Sequence, residues 1–191
     1  MQLLFCSSNI HKTKEIQHKL GDTFRLQCLN DLGFTGEIAE TAHTFKGNAT
    51  LKAEFGFQTY HLPCFSDDSG LEVEALNNEP GVFSARYAGE PKDDKRNMDK
   101  LLQNLIGISN RKACFKTVIV YINHSGEHFE FEGSVSGIII DEKRGKHGFG
   151  YDPIFIPDGF DRTFAEMSME EKSKLSHRSR AVEQFINFLK N

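Results

Sequence analysis

The chain has no tryptophan, only four cysteines, and no hydrophobic run long enough to cross a membrane. Its longest apolar run is Val118–Ile122, whereas a transmembrane helix needs about 20 apolar residues. With 38% hydrophobic and 26% charged residues, the composition is typical of a soluble globular protein rather than a disordered one. Residues 1–6 are too few for a signal-peptide core. We therefore expect a cytoplasmic protein with no membrane partner.

The four cysteines are widely separated, and each lies in an apolar, strand-like stretch: Cys6, Cys28, Cys64 and Cys114. This spacing favours buried core residues over zinc ligands or a disulfide framework. The formal net charge of −4 argues against general electrostatic binding to nucleic acid, which requires a basic surface. A small anionic ligand in a local basic pocket is compatible with this charge.

The 191 residues contain no repeat, linker or low-complexity segment, and we expect one domain over residues 1–191. Apolar periodicity and capping residues predict alternating strands and helices, which is typical of an α/β protein. A capping box is expected at Ser168–Glu171. The predicted helices cover residues 11–20, 45–60, 93–105 and 177–189, and the predicted strands cover 3–6, 24–29, 62–65, 71–75, 113–123 and 128–140.

Asp67 and Asp68 are the first candidates for chemistry. They lie in Ser-Asp-Asp-Ser-Gly, which we expect to form a tight turn between the strands 62–65 and 71–75. Paired carboxylates suit Mg²⁺, which binds through one or two carboxylates together with substrate phosphates. The alternative is an acidic β-turn without a catalytic role, because these residue types are good turn formers by themselves.

The segment Ser7-Ser8-Asn9-Ile10-His11-Lys12 links a predicted strand to a predicted helix. Such a junction binds phosphate well, because free backbone N–H groups and the positive end of the helix dipole face the ligand. The hydroxyl groups of Ser7 and Ser8 and the ammonium of Lys12 could add donors. The segment is not a Walker A loop, and an ordinary Ser/Asn N-cap remains an alternative.

Three further segments allow both a functional and a structural interpretation. Glu40 and Lys52 could belong to a site, or could complement the dipole and the surface of the second helix. His147–Asp152 combines flexible glycines with aromatic rings and an acid, which suits a planar base or an exposed loop. Lys172 and Ser176-His177-Arg178 could serve a site or begin a helix.

Taken together and in order, these segments resemble the non-canonical purine nucleoside triphosphate pyrophosphatases, also called inosine/xanthosine triphosphate pyrophosphatases. No single segment is specific, but their combination over nearly the whole chain is. The shared segments are Ser8-Asn9-x-x-Lys12-x-x-Glu15, Glu40-Thr41, Thr44-Phe45-x-x-Asn48-Ala49-x-x-Lys52-Ala53, Asp67-Asp68-Ser69-Gly70-Leu71, Pro80-Gly81-Val82-x-Ser84-Ala85-Arg86-Tyr87-Ala88-Gly89, Gly148-Phe149-Gly150-Tyr151-Asp152-Pro153 and Lys172-x-x-x-Ser176-His177-Arg178.

The resemblance implies hydrolysis of inosine, deoxyinosine and xanthosine triphosphates to the monophosphate and pyrophosphate, with Mg²⁺ as cofactor. It makes Asp68 the general base and Glu40 and Asp68 the metal ligands. It also implies a homodimer and an elongated, twisted, mixed sheet flanked by helices, with two lobes around a nucleotide-binding cleft. The implied substrate-binding residues are Ser7, Ser8, Asn9, Lys12, Lys52, Ser69, Phe149, Gly150, Tyr151, Asp152, Lys172, His177 and Arg178.

Hydrogen-bond polarity suggests how a base would be selected. Lys172 and Arg178 only donate hydrogen bonds, so they would accept the 6-oxo group of hypoxanthine and oppose the 6-amino group of adenine. Ser66 and Gly145-Lys146-His147 depart from the family pattern without touching the proposed chemistry. The alternatives are the related septum-associated house-cleaning pyrophosphatases, which favour pyrimidine nucleotides, and a non-catalytic nucleotide sensor. A Nudix hydrolase lacks support, because the Arg-Glu-x-x-Glu-Glu helix is absent.

Overall fold

The computed structural model describes residues 2–190, so Met1 and Asn191 of the predicted domain lie outside the described residues. Strands and helices alternate, which confirms the predicted α/β class. The strands are β1 Gln2–Phe5, β2 Arg25–Cys28, β3 Cys64–Val73, β4 Lys112–Ile122, β5 His128–Ile139 and β6 Phe155–Pro157. The α-helices are α1 Ile10–Leu20, α2 Phe45–Tyr60, α3 Asp94–Asn104, α4 Met169–Ser173 and α5 His177–Lys190.

The six strands form one mixed sheet in the order β2-β1-β3-β4-β5-β6. β1 runs parallel to both β2 and β3, whereas β5 and β6 are antiparallel. A parallel pair needs a crossover connection, and α1 provides it between β1 and β2. β3 is therefore an interior strand, paired on both sides.

The chain divides into two compact units. The first unit contains residues 2–68, 117–133 and 178–190, and the second contains residues 69–116 and 134–177. The first unit contains an apolar cluster around Phe5, Phe65 and Phe185 and another around Leu4, Cys6 and Cys64. The second unit has a core of its own, in which Phe115, Phe155 and Phe164 pack together.

The helix boundaries follow the local signals in the sequence. Asn9 caps α1 by accepting from the backbone N–H groups of its first turn, and Gly21 ends the helix. Thr44 caps α2, and Ser168 forms the predicted capping box with Glu171. These boundaries confirm the predicted helices to within one residue.

The predicted turn at residues 66–70 is wrong. Cys64–Val73 is a single buried strand, with Asp67 and Asp68 in its interior. Sheet pairing on both sides supplies backbone hydrogen bonds that a turn would forgo, and this outweighs the local turn preference. The short strand β6 was not predicted.

The prediction of buried, unpaired cysteines is confirmed for Cys6 and Cys64, whereas Cys28 and Cys114 are half-buried free thiols. Within residues 2–190, no helix combines the length and the apolar character needed to cross a bilayer.

Candidate functional site

Strand geometry sends the two adjacent aspartates to opposite faces of β3. Successive side chains of a strand alternate between faces, so Asp67 shares a face with Phe65 and Asp68 shares one with Ser66. Phe65 packs on Phe185 of α5, with 4.9 Å between ring centroids. The Ser66 hydroxyl donates to a backbone oxygen of α2 at 2.7 Å. Asp67 therefore faces the α5 side, and Asp68 faces α2.

Asp67 is the centre of a buried ion network. Its Oδ2 lies 3.0 Å from Lys12 Nζ and 3.4 Å from Arg178 Nε. Arg178 also pairs with Glu15 of α1. The side chains of Asp67 and Arg178 are 0% and 3% exposed, so these charges compensate one another almost without water.

The protonation of this network follows from burial and charge. Burial alone would raise the pKa of Asp67, but Lys12 and Arg178 outweigh it and hold the pKa well below its ordinary value. Burial lowers the pKa of Lys12, and Asp67 offsets only part of this effect. Asp67 is thus ionised at neutral pH and serves as a fixed anion that orients two cations.

Asp68 has a different environment on the α2 side. Its Oδ2 accepts a hydrogen bond from Asn48 Nδ2 at 3.1 Å, and its Oδ1 lies 3.6 Å from Lys52 Nζ. Burial raises the pKa of Asp68, and the opposing effect of Lys52 and Lys12 is smaller. Two neighbouring carboxylates with pKa values moved in opposite directions are typical of sites that divide acid and base roles.

Lys52 connects Asp68 to Glu40. Its ammonium lies 2.7 Å from Glu40 Oε1, in addition to its contact with Asp68. Burial would lower the pKa of Lys52, but Asp68 and Glu40 outweigh burial and raise it. The two predicted metal ligands therefore converge on one cationic group.

These contacts define the charged cluster of the first unit, which consists of Lys12, Glu15, Glu40, Lys52, Asp67, Asp68 and Arg178. Four carboxylates and three cations leave a formal excess of one negative charge. Among residues 2–190, no group of three or more His, Cys, Asp or Glu side chains could hold a metal by itself. The carboxylates of Glu40 and Asp68 fit Mg²⁺, because this ion uses one or two carboxylates and completes its shell with water and substrate phosphates.

The segment before α1 is organised by its own side chains. The Asn9 side chain accepts from the N–H groups of His11 at 3.0 Å and Lys12 at 3.2 Å. Ser7 Oγ accepts from the Asn9 N–H at 3.2 Å, and Ser8 is exposed. Asn9 is thus the N-cap that one interpretation predicted, and phosphate binding by Ser7, Ser8 and Asn9 stays a prediction.

In the second unit, Asp152 organises the loop that precedes it. Its Oδ2 accepts from the Phe149 N–H at 2.9 Å and from Lys172 Nζ at 2.6 Å. A Cβ at Gly148 would lie 1.9 Å from the same oxygen, and Gly148 has φ = +73°. Only glycine fits this position, because any side chain would collide with the carboxylate and strain the backbone.

Aromatic rings surround this buried ion pair. Lys172 Nζ lies 5.2 Å from the centroid of the Phe149 ring and 5.4 Å from that of Phe164. These distances are typical of cation–π contacts. We call Phe149, Asp152, Phe164 and Lys172 the aromatic cluster of the second unit.

The remaining predicted residues of the second unit are held in place by residues that are distant in the chain. The Tyr151 hydroxyl donates to the Ser84 carbonyl at 2.9 Å, and burial raises its pKa above the ordinary value. The Gly150 N–H donates to Asp94 at 2.7 Å. His177 is buried and stacks on Phe115, with ring centroids 4.7 Å apart.

The structure thus brings many predicted residues together within each unit. Lys12, Lys52, Glu40, Asp68 and Arg178 lie in the charged cluster, and Phe149, Asp152 and Lys172 lie in the aromatic cluster. Ser69 is a half-buried residue of β3. Sequence reasoning grouped Arg178 with Lys172, but the structure places its guanidinium against Asp67 and Glu15. Its part in base selection stays a prediction.

Sequence reasoning assigned no role to Glu15 or Asn48, and it took Asp67 together with Asp68 as a candidate for metal-assisted chemistry rather than as an anchor for cations. Two signals could have identified them. Glu15 and Asn48 lie in the segments shared with the resembled family, and Asn48 precedes Lys52 by four residues, which places both on one face of α2. No local pattern, however, indicates that Glu15 pairs with a residue 163 positions away.

The family of this chain follows from comparisons with known proteins. The model of the Ham1 family matches residues 3–188. A protein of Flavobacterium psychrophilum named dITP/XTP pyrophosphatase is 51% identical over 191 residues, with 100% of both chains covered. One of Porphyromonas gingivalis with the same name is 52% identical over 189 residues, covering 98% of this chain and 97% of the relative.

A solved structure of the Staphylococcus aureus Ham1 protein superimposes with a TM-score of 0.90 at 39% sequence identity, covering 100% of this chain and 98% of the other. The match of the family model over nearly the whole chain, together with these full-length similarities, shows that the chain belongs to the Ham1 family.

Proposed function

We propose that this protein hydrolyses non-canonical purine nucleoside triphosphates, namely ITP, dITP and XTP, to the monophosphate and pyrophosphate. The observation that carries the proposal is the charged cluster, in which Asp68 lies against Asn48 and Lys52 while Asp67 pairs with Lys12 and Arg178. The names of the relatives, dITP/XTP pyrophosphatase, support the substrate class. The reaction would remove these nucleotides from the cellular pool.

Asp68 is the proposed general base. It would take a proton from the water whose oxygen attacks the α-phosphorus, while the bond from that phosphorus to the bridging oxygen breaks and pyrophosphate leaves. Burial favours a carboxylate that accepts a proton more readily than an ordinary aspartate. Lys12 and Lys52 would neutralise charge that builds on the phosphate oxygens.

Glu40 and Asp68 would hold the proposed Mg²⁺. The charged cluster carries a formal excess of one negative charge, so it would repel a triphosphate unless a cation were added. When bound, a divalent ion supplies that positive charge and stabilises charge on the phosphoryl oxygens. Asp67 would keep Lys12 directed toward the cluster throughout.

Lys172 is the proposed selector of the base. Its ammonium would donate to the 6-oxo group of hypoxanthine or xanthine, and the Phe149 ring offers a planar apolar surface. Adenine would present a 6-amino donor to the same ammonium, which leaves both donors unsatisfied.

Following the family resemblance, we further propose that the protein is a homodimer in the cytoplasm. Sedimentation velocity measures the oligomeric state directly.

The decisive experiment measures product identity with isotope labelling. The purified protein is incubated in H₂¹⁸O with inosine, xanthosine, guanosine, adenosine or thymidine triphosphate, with Mg²⁺ or with chelator, and the products are analysed by mass spectrometry. We expect pyrophosphate from inosine and xanthosine triphosphates, with the label in the monophosphate, and no reaction with chelator. Release of orthophosphate, label in pyrophosphate, or preference for thymidine triphosphate would contradict the proposal.

A further inference from the structure

The side chain of Asn48 makes two hydrogen bonds from a buried position in the first turn of α2. Its Oδ1 accepts from the Ala42 N–H at 2.9 Å, and its Nδ2 donates to Asp68 Oδ2 at 3.1 Å. A backbone N–H can only donate, so the side-chain atom that faces Ala42 must be the amide oxygen. The amide orientation is therefore fixed, and an N–H donor is directed at the carboxylate of Asp68.

Asn48 and Lys52 hold the two oxygens of Asp68 separately. Asn48 contacts Oδ2, whereas Lys52 Nζ lies 3.6 Å from Oδ1. The two residues are four positions apart, so they share one face of α2. A carboxylate that accepts a hydrogen bond on one oxygen and has an ammonium beside the other is restrained in its orientation.

The second hydrogen bond reaches the segment that carries the other proposed metal ligand. Ala42 lies two residues after Glu40, in a stretch that belongs to no helix or strand. Such a stretch needs side-chain contacts to keep its position. Asn48 thus ties the backbone beside Glu40 to the carboxylate of Asp68 through one amide group.

We infer that Asn48 is a positioning residue, which sets the geometry of Glu40 and Asp68 toward a divalent cation without touching the substrate. This inference rests on the proposed function. Partners that hydrogen-bond to metal ligands commonly change metal affinity or activity by about 10–100-fold when they are removed. The alternative is an asparagine that only satisfies the Ala42 N–H and so contributes to stability alone.

The test compares Asn48→Ala with wild type by calorimetry, using an α,β-imido analogue of dITP that cannot be cleaved. Wild type should bind the analogue more tightly when Mg²⁺ is added. In Asn48→Ala the gain in affinity on adding Mg²⁺ should be smaller by about tenfold or more. The affinity for the analogue in chelator should change by less than about twofold. Gln58→Ala is the matched control, because it removes an exposed amide from the same helix.

Kinetics provide a second measurement. At saturating Mg²⁺, kcat for dITP should fall about tenfold or more in Asn48→Ala, and KM should rise in step with the weaker Mg²⁺-dependent binding. If Asn48→Ala does not fold, Asn48→Asp is tested instead. It retains the shape of the side chain and an oxygen that accepts from the Ala42 N–H, but it presents no N–H to Asp68. The same loss of kcat is expected, with Gln58→Glu as control.

A folded Asn48 variant with the wild-type kcat and the wild-type response to Mg²⁺ would overturn the inference and leave the proposed function intact. Failure of the wild type to release pyrophosphate would instead count against the proposed function.

Discussion

The first unit distributes its charge over four carboxylates and three cations, whereas the second unit sets a buried ion pair, Lys172–Asp152, against aromatic rings. In the first arrangement Asp67, Lys52 and Arg178 each contact two groups of opposite charge, and differences in burial move neighbouring pKa values apart. In the second, a single ammonium is held in one place beside planar surfaces. The first arrangement suits handling of charge and protons, and the second suits recognition of a flat polar ring.

The strongest test of this comparison is Asp68→Asn. We expect pyrophosphate release to fall by about 10²–10⁴-fold, because asparagine cannot take a proton from water. The free energy of unfolding should not decrease, since burial disfavours the charge that is removed. Product release assays and urea denaturation measure the two effects. Activity near the wild-type level would show that Asp68 is not the base.

Asp67→Asn is the same substitution as Asp68→Asn, one residue earlier in the chain. We expect it to act mainly on stability. It leaves Lys12 and Arg178 without their shared anion, and removing one partner of a buried ion pair costs about 3–5 kcal/mol. Urea denaturation in chelator measures the difference. The control is Glu130→Gln, whose partner Lys46 has a side chain 64% exposed.

The control should cost no more than about 1 kcal/mol, because exposed ion pairs contribute little. Equal costs for Asp67→Asn and Glu130→Gln would remove the distinction between a shared buried network and a surface pair.

Lys172→Met tests the second unit in isolation from proton chemistry. Loss of a hydrogen bond from a charged donor costs about 1.5–3 kcal/mol, so kcat/KM for ITP should fall by about 10–150-fold. The low rate with ATP should not fall further, because its 6-amino group gains nothing from Lys172. Lys174→Met is the control, since Lys174 is exposed and pairs only locally with Glu170. An equal loss for both nucleotides would argue against base selection.

The dependence of stability on pH should separate the two aspartates in sign. The pKa of Asp67 is lowered, so the stability that it contributes is complete above its ordinary value of 3.8 and is lost as pH falls toward the lowered value. The pKa of Asp68 is raised, so wild type should lose stability relative to Asp68→Asn as pH rises from 3.8 through the raised value.

Urea titrations of wild type and both Asn variants from pH 2 to 7 in chelator measure these opposite trends. Parallel trends for the two variants would contradict the assignment of separate environments.

The helices were predictable because their signals are local. Asn9 and Gly21 bound α1 by capping, and the apolar residues of α2 and α5 recur at helical spacing, so nearby residues alone determine these elements. The interval from Ser66 to Gly70 has equally clear local signals for a turn, yet it forms the interior of β3. Pairing with strands distant in sequence determined that outcome, and a single segment contains no information about it.

The sequence by itself determined the α/β class, the family and the identity of most charged residues at the candidate site, because motifs and capping signals depend on residue type and spacing. Only the tertiary structure decided that Asp67 and Asp68 face opposite sides of a strand, and that Arg178 pairs with Glu15. The reason is physical: burial and neighbouring charge set a carboxylate's role, and both depend on which distant elements pack around it.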